Sequence, residues 1–276
     1  MIKPFRNYFT LDSKLCTLSS QSSTIYAIDD YIYEVIEIIK GIPVFLEDHL
    51  KRLNFSLNAV NIQYDVNLLV NDIELVIKAN QNTDGNIKII LWNTNLEIHS
   101  MVFYEKHYYP TNEEYEEGVV VGLMNEERIN PNIKKYNSKM RDAADKCIND
   151  NNFNEVLLVN NDGFITEGSR SNVFFIKNNE AFTSPAYQVL EGITRQKVIS
   201  IIKNNNIIFS ECEVSSDNLS TFDAVFLTGT SKKVLPVKNI YPVEKQYNVK
   251  HEFINTISTA FLKISEAYIN EKRYKV

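Results

Sequence analysis

The chain has 276 residues, room for one large domain or two of medium size. It is 44% hydrophobic and 23% charged, which is ordinary for a globular protein. Its formal net charge of -6 disfavours nucleic acid or an anionic membrane as the main partner.

Cys16, Cys147 and Cys212 are odd in number and far apart, with no Cys-x-x-Cys. Neither a disulfide framework nor a metal site is expected, and a reducing compartment fits best. Met1-Ile2-Lys3-Pro4-Phe5-Arg6 lacks the apolar core of a leader, and no stretch approaches the apolar length that spans a bilayer. A cytoplasmic protein is the expectation.

In chain order, Tyr31 to Ile39 alternates aromatic and β-branched residues with Glu, Lys40-Gly41 turns, and Ile42 to Leu46 returns. This reads as a hairpin. Asp48 is placed to cap the next helix, which runs through His49, Arg52 and Leu57. A second helix spans about 67–79, with Leu69, Ile73, Val76 and Ile77 on one face. Strands follow at 87–92 and 101–107. The acidic run from Pro110 to Gly118 reads as a solvated connector and the best boundary, giving domains 1–117 and 118–276.

The second half begins with a strand at 119–123 and a loop through Asn130-Pro131 to Lys134. A helix covers about 138–149. Two hairpins turn at Asn161-Asp162-Gly163 and Asn178-Asn179, pairs that tolerate positive φ. Gly192 to Ile202 turns into a helix. Ala224 to Leu227 is a short buried strand ending in Thr228-Gly229-Thr230-Ser231. The C-terminal helix carries Phe253, Ile257, Phe261, Ile264 and Tyr268 at helical spacing, a packing stripe. The fold class is α+β.

Several residues fit chemistry, none decisively alone. Lys134 and Lys135 lie in a loop between strand and helix; a lysine forms an imine only as its neutral amine, while the plain reading is two solvated lysines. Glu167 ends a hairpin strand, where it suits a protonated ring nitrogen or is a surface carboxylate. Leu190-Glu191-Gly192-Ile193-Thr194-Arg195 opens a helix whose free N–H groups suit a phosphate, or is a plain Thr cap. The turn at Thr228–Ser231 offers further donors. Arg52 suits a phosphate clamp or is a surface charge.

Their order is more specific. Tyr33-Glu34-Val35, His49-Leu50-Lys51-Arg52-Leu53, Ile133-Lys134-Lys135-Tyr136-Asn137, Glu167-Gly168-Ser169-Arg170-Ser171-Asn172-Val173-Phe174, Leu190-Glu191-Gly192-Ile193-Thr194-Arg195 and Thr228-Gly229-Thr230 follow one another as they do in class IV, or fold type IV, pyridoxal-phosphate enzymes. The chain resembles that family from about Tyr33 to Pro236. The family includes branched-chain and D-amino-acid aminotransferases and aminodeoxychorismate lyases.

The resemblance implies an N-terminal α/β sandwich and a C-terminal α/β pseudo-barrel, with pyridoxal 5'-phosphate in the cleft between them. It implies that Lys134 carries the cofactor as a Schiff base, with Lys135 as the rival. It implies that Glu167 bonds the pyridine nitrogen, and that Arg52, Ile193, Thr194 and Thr230 hold the phosphate. Substrates would be small amino and oxo acids, and the assembly a homodimer in which a loop residue such as His99 closes the neighbouring site.

The substrate half departs from each subfamily. Glu97-Ile98-His99 stands where D-amino-acid enzymes carry Arg-x-His, so His99 is retained and the Arg is not. Ser138 stands where branched-chain enzymes have a Tyr. Asp29-Asp30-Tyr31 replaces Gly-Asp-Gly, and Lys233 replaces a Glu. Tyr33, His99, Arg170 and Ser231 are the candidate substrate residues; Arg170 either pairs with a substrate carboxylate or is a surface residue of the hairpin. The leading expectation is an aminotransferase. The alternatives are a 4-amino-4-deoxychorismate lyase and a non-catalytic binding protein on the same fold.

Overall fold

The computed structural model describes residues 2–19, 28–94 and 97–273. They form two compact units: Met1–Tyr108 with Ile133–Asn137 and Ser265–Val276, and Tyr109–Asn132 with Ser138–Ile264.

The first unit contains β1 (Tyr8–Leu11), β2 (Lys14–Thr17), β3 (Ile32–Ile39), β4 (Ile42–Pro43), α1 (Leu46–Ala59), α2 (Leu68–Ala79), β5 (Gly85–Thr94) and β6 (Glu97–Glu105). Its sheet runs β2-β1-β6-β5-β3-β4, antiparallel throughout. Alternate residues of a strand point to opposite faces. Ile32, Ile36 and Ile38 of β3 and Ile87, Ile89 and Leu91 of β5 therefore pack with Leu53 and Leu57 of α1 and Leu69, Ile73 and Val76 of α2. Tyr31, Tyr33, Ile90 and Trp92 face the other way, with Phe9, Met101 and Phe103.

The first unit departs from two local expectations. Asp48 does not cap α1. The helix begins at Leu46 after Phe45, whose φ is 56°, and the Leu46 N–H donates to the Tyr268 hydroxyl at 3.1 Å. Asp48 instead sits beside Glu47 in the first turn, where a carboxylate suits the positive end of the helix dipole. His99 is not in a loop. It lies on β6 opposite Trp92, because β5 and β6 pair along their whole length.

The lysine segment belongs to this unit, so the two units are not separated by a single division after residue 117. The cause is an open strand edge. β4 pairs with β3 at Ile38 and Ile39. The start of β3 pairs instead with the segment from Lys134 to Tyr136: Tyr33 N–H donates to the Lys134 carbonyl at 3.0 Å, and Tyr136 N–H to the Tyr31 carbonyl at 2.9 Å. Unpaired strand groups are costly when buried, and this segment satisfies them.

The second unit contains α3 (Asn112–Glu117), β7 (Val119–Asn125), α4 (Ser138–Asn151), β8 (Glu155–Val159), β9 (Phe164–Gly168), β10 (Asn172–Lys177), β11 (Glu180–Thr183), α5 (Ile193–Asn204), β12 (Ile208–Glu211), β13 (Val214–Ser215), β14 (Ala224–Gly229) and β15 (Lys233–Tyr241). The acidic run expected as plain connector forms α3, because Thr111 and Glu114 close a capping box. The sheet order is β12-β11-β10-β14-β15-β7-β8-β9-β13. It is parallel at β12/β11, β15/β7 and β7/β8 and antiparallel elsewhere. Val121, Leu157, Ile165, Val173, Phe175, Val225, Leu227 and Val237 centre its core. Mixed helix and sheet in both units make the fold α+β. The last helix, α6 (Glu252–Arg273), buries Ile257 and Phe261 of the expected stripe, with Ile254 and Ile269. Among the described residues no helix is long and apolar enough to cross a membrane.

Candidate active site

In the first unit, the two adjacent lysines part company. Lys135 is half exposed and pairs with Asp30 at 2.9 Å. The Lys134 ammonium lies over the Tyr33 ring, 4.7 Å from its centroid. The Lys134 N–H also donates to Ser56 Oγ of α1 at 3.1 Å. Strand alternation puts Tyr33 on the same face of β3 as Tyr31, which stacks on Tyr136 at 4.7 Å. Lys88, of β5, is buried among Tyr31, Tyr33 and Tyr136 and bonds Glu105 at 2.7 Å.

Glu34 points the opposite way, toward α1. Arg52 donates to it through Nε at 2.7 Å and Nη2 at 2.8 Å, and His49 Nδ1 lies 2.8 Å away. Burial pushes the Glu34 carboxyl up, but the Arg52 charge and the bonds from Arg52 and His49 outweigh it and hold the carboxyl below the usual range. Burial pushes the His49 imidazole down, against Glu34, so it stays neutral near pH 7 with Nδ1–H donating. A planar guanidinium held at two points is pre-set for a further anion. The sequence does not mark Glu34 as a site residue, because an alternating strand hides which face is packed.

In the second unit, Glu167 is buried at the end of β9. Its Oε2 accepts from Asn172 Nδ2 at 3.2 Å and from the Leu190 N–H at 3.1 Å. Its Oε1 lies 2.9 Å from Arg128 Nε, a charge contact outside hydrogen-bond geometry. Asn172 also donates to the Leu190 carbonyl at 2.8 Å, which straps the loop before α5 onto β10. A side chain at Gly192 would place Cβ 2.3 Å from Asn172 Oδ1, so glycine is required there. Ile193 and Thr194 are buried in the first turn of α5, and that helix has no side-chain cap. Thr230 is half-buried and Ser231 buried in the turn after β14. Asn172 and Thr228 are opposed across β10 and β14.

Glu155 of β8 ties the two loops of this unit together. It accepts from Ser169 Oγ at 2.5 Å, Ser171 Oγ at 3.0 Å, the Arg170 N–H at 3.2 Å and Lys232 Nζ at 2.6 Å. Burial pushes the carboxyl up, but Lys232 and the hydroxyl and backbone donors bring it down to about 2. In the sequence a single Glu ahead of four aliphatic residues gives no sign of this hub.

The remaining candidates are occupied by neighbours in the same unit. His99 bonds Asp12 at 2.9 Å and stacks on Trp92. Arg170 makes a two-point pair with Asp145 of α4, at 2.6 and 2.8 Å. That contact supports the plain structural reading of Arg170.

The donor set suits pyridoxal phosphate. The α5 N-terminus presents N–H groups without a side-chain cap, and Thr228 Oγ1 is buried without a hydrogen-bond partner. Such groups suit phosphate oxygens. A buried carboxylate such as Glu167 suits a protonated pyridine, and a lysine side chain such as that of Lys134 is the kind of amine that pairs with the cofactor's aldehyde. Among the described residues no group of three or more His, Cys, Asp or Glu is arranged for a metal ion.

Comparison with known proteins agrees. The family model for amino-transferase class IV matches residues 31–240. The D-alanine aminotransferase of Bacillus licheniformis is 28% identical over 239 residues, covering 78% of this chain and 80% of that one. A probable branched-chain-amino-acid aminotransferase of Aquifex aeolicus is 43% identical over 90 residues, covering 32% of this chain and 29% of that one. Among solved structures, the branched-chain aminotransferase of Thermoproteus uzoniensis superposes with a TM-score of 0.82 at 19% identity, covering 95% of this chain and 95% of that one. The chain belongs to the class IV aminotransferases and has their fold type IV. Members of this family use pyridoxal phosphate.

Proposed function

We propose that the protein is an aminotransferase that moves an amino group between an amino acid and a 2-oxo acid, with Lys134 as the residue that holds the cofactor. The observation that carries this is the contrast within the lysine pair: Lys135 is half exposed and paired with Asp30, whereas Lys134 has its backbone bonded on both sides and its amine over Tyr33. When bound, pyridoxal phosphate supplies an aldehyde that takes up amino groups and a ring that accepts the electron pair left by a departing proton.

The chain's own residues do the rest. Lys134 Nζ would hold the cofactor and, once freed by the substrate amine, would take the substrate α-proton and give it back, as base and acid in turn. Glu167 keeps the ring nitrogen protonated. Arg52, the N–H groups of Ile193 and Thr194, and Thr230 take the phosphate. Tyr33 lines the amine, and the N–H groups of Thr230 and Ser231 take the substrate carboxylate. The same reading includes a homodimer, which light scattering checks.

Purified protein is expected to be yellow, and borohydride followed by peptide mapping to mark Lys134. A colourless protein that takes up no pyridoxal phosphate rejects the proposal. A panel of L- and D-amino donors with pyruvate or 2-oxoglutarate then reads out transfer. Release of 4-aminobenzoate and pyruvate from aminodeoxychorismate, with no transfer on the panel, assigns a lyase instead.

A further inference from the structure

We propose that Ser56 is a positioning residue for Lys134, its side-chain oxygen fixing the lysine backbone to the helix that carries Arg52. This rests on Lys134 being the cofactor lysine and adds a residue to that reading.

Ser56 is fully buried, at 0% exposure, yet it is polar and lies beside the apolar core residue Leu57. A buried hydroxyl needs a partner, and Ser56 Oγ accepts the Lys134 N–H at 3.1 Å. The Lys134 carbonyl accepts from Tyr33 N–H at 3.0 Å. The lysine peptide is thus held by α1 on one side and β3 on the other. It cannot slide along the strand edge without breaking one of these bonds.

The helix sets a distance as well. His49, Arg52 and Ser56 are all buried on α1. Their spacing of three, four and seven residues puts them on one helical face. Arg52 precedes Ser56 by four residues, about 6 Å along the axis. The Arg52 guanidinium is fixed in turn by Glu34. Burial lowers the His49 imidazole, and the charges of Arg52 and Lys134 lower it further, so both cations act on the same ring. One helix face therefore carries a phosphate-binding charge and, one turn on, the tether of the lysine that must reach the same cofactor. A rigid element places reacting groups better than a free loop does, and small displacements are costly to rate.

Ser56→Ala removes one oxygen from a packed site and leaves the Lys134 N–H without its acceptor. The expected loss corresponds to one hydrogen bond to a partly buried donor, about tenfold in each equilibrium that needs the tether. In cofactor-free protein, hydrogen–deuterium exchange at the Lys134 amide is expected to quicken by about tenfold. The dissociation constant for pyridoxal phosphate, titrated by absorbance, should rise by a similar factor. The pH midpoint of the bound cofactor's absorbance change should shift, because the lysine that would carry the titrating link is no longer held by Ser56. Leu57→Ala, at the neighbouring core residue, is the control for instability alone. It should lower Tm more than Ser56→Ala does and leave the midpoint in place.

The inference is overturned if Ser56→Ala matches the parent in both affinity and midpoint, or if Leu57→Ala reproduces both shifts. It is also overturned if the Lys134 amide of the unaltered protein exchanges as fast as an unprotected one, a result that needs no variant to fold. Peptide mapping separates the two levels. Borohydride must mark Lys134 in parent and variant alike; a mark on another lysine rejects the function assignment itself, whatever Ser56 does.

Discussion

Replacing Lys232 with Met removes the cation from a buried carboxylate and tests whether charge compensation holds the two loops of the second unit. Glu155 is 1% exposed, and Lys232 Nζ lies 2.6 Å from it. Breaking a buried pair from one side costs about 3–5 kcal/mol, because the partner charge is left uncompensated. Ser169, Ser171 and the Arg170 N–H remain as donors, which puts the cost at the lower end, about 3 kcal/mol. The acidity of Glu155 gives the same order: a carboxyl brought from 4.5 to about 2 stores about 3 kcal/mol. For a chain of this size, about 2–4 °C per kcal/mol predicts a fall in Tm of about 6–12 °C.

The pH dependence has a definite sign. In the parent the folded carboxyl is depressed, so its stabilisation is present above 4.5 and is lost as pH falls toward about 2. In Lys232→Met the two lowering influences of Lys232 are lost while burial still raises the carboxyl, so it rises from its depressed position. The variant then gains relative stability as pH falls. Calorimetry should find the gap between parent and variant largest near about pH 7.5 and smaller near about pH 4. Adding Glu155→Gln to Lys232→Met should recover much of the loss, a coupling that a double-mutant cycle measures. A gap under about 1 kcal/mol, or one equal at both pH values, would refute charge compensation as the cause.

Gly168→Ala would set a Cβ 2.1 Å from Ser171 Oγ and 3.3 Å from Glu155 Cδ. Urea titration should show a loss of about 1–3 kcal/mol, and Ser171→Ala in the same chain should restore part of it. Lys134→Ala should end both transfer and the borohydride-reducible link, while Lys135→Ala keeps the link. Arg170→Ala should leave KM for a dicarboxylate within about twofold, because its guanidinium is paired with Asp145 at a partly exposed site. A rise of tenfold or more would revive a substrate-carboxylate role for Arg170.

What the sequence made legible was periodicity and order. The 3.6-residue stripe located α2 and its buried Leu69, Ile73, Val76 and Ile77. The Lys40-Gly41, Asn161-Asp162-Gly163 and Asn178-Asn179 turns fall between paired strands. What it hid were contacts set by tertiary partners. Asp48 looks like a cap because local chemistry allows it, but Tyr268, 222 residues away, takes the Leu46 N–H. His99 looks like a loop residue until the full-length pairing of β5 and β6 is known. Lys134 and Lys135 look alike in one dimension, and the open edge of β3 tells them apart. Ser56 and Glu155 carry no motif, since their partners lie on other elements.

The buried charges of each unit come in matched sets: Arg52 with Glu34 and Lys88 with Glu105 in the first, Lys232 with Glu155 and Arg128 with Glu167 in the second. An isolated buried charge would cost several kcal/mol, so a site that relied on its ligand for compensation would be unstable without it. Here each cation already has its carboxylate within the same unit. The cofactor-free chain should therefore fold, giving a cooperative melt that pyridoxal phosphate raises by simple mass action rather than by rescuing an unfolded protein. The matching also limits what attracts the phosphate. With Glu34 on Arg52 and His49 neutral, the net charge of that cluster is close to zero, so the proposed reading assigns a share of the phosphate to the uncapped N–H groups at the start of α5. Binding that depended on bare cations would weaken steeply with salt. Binding shared with fixed backbone dipoles in a buried site should weaken only gently, and titration of the cofactor at low and high ionic strength distinguishes the two.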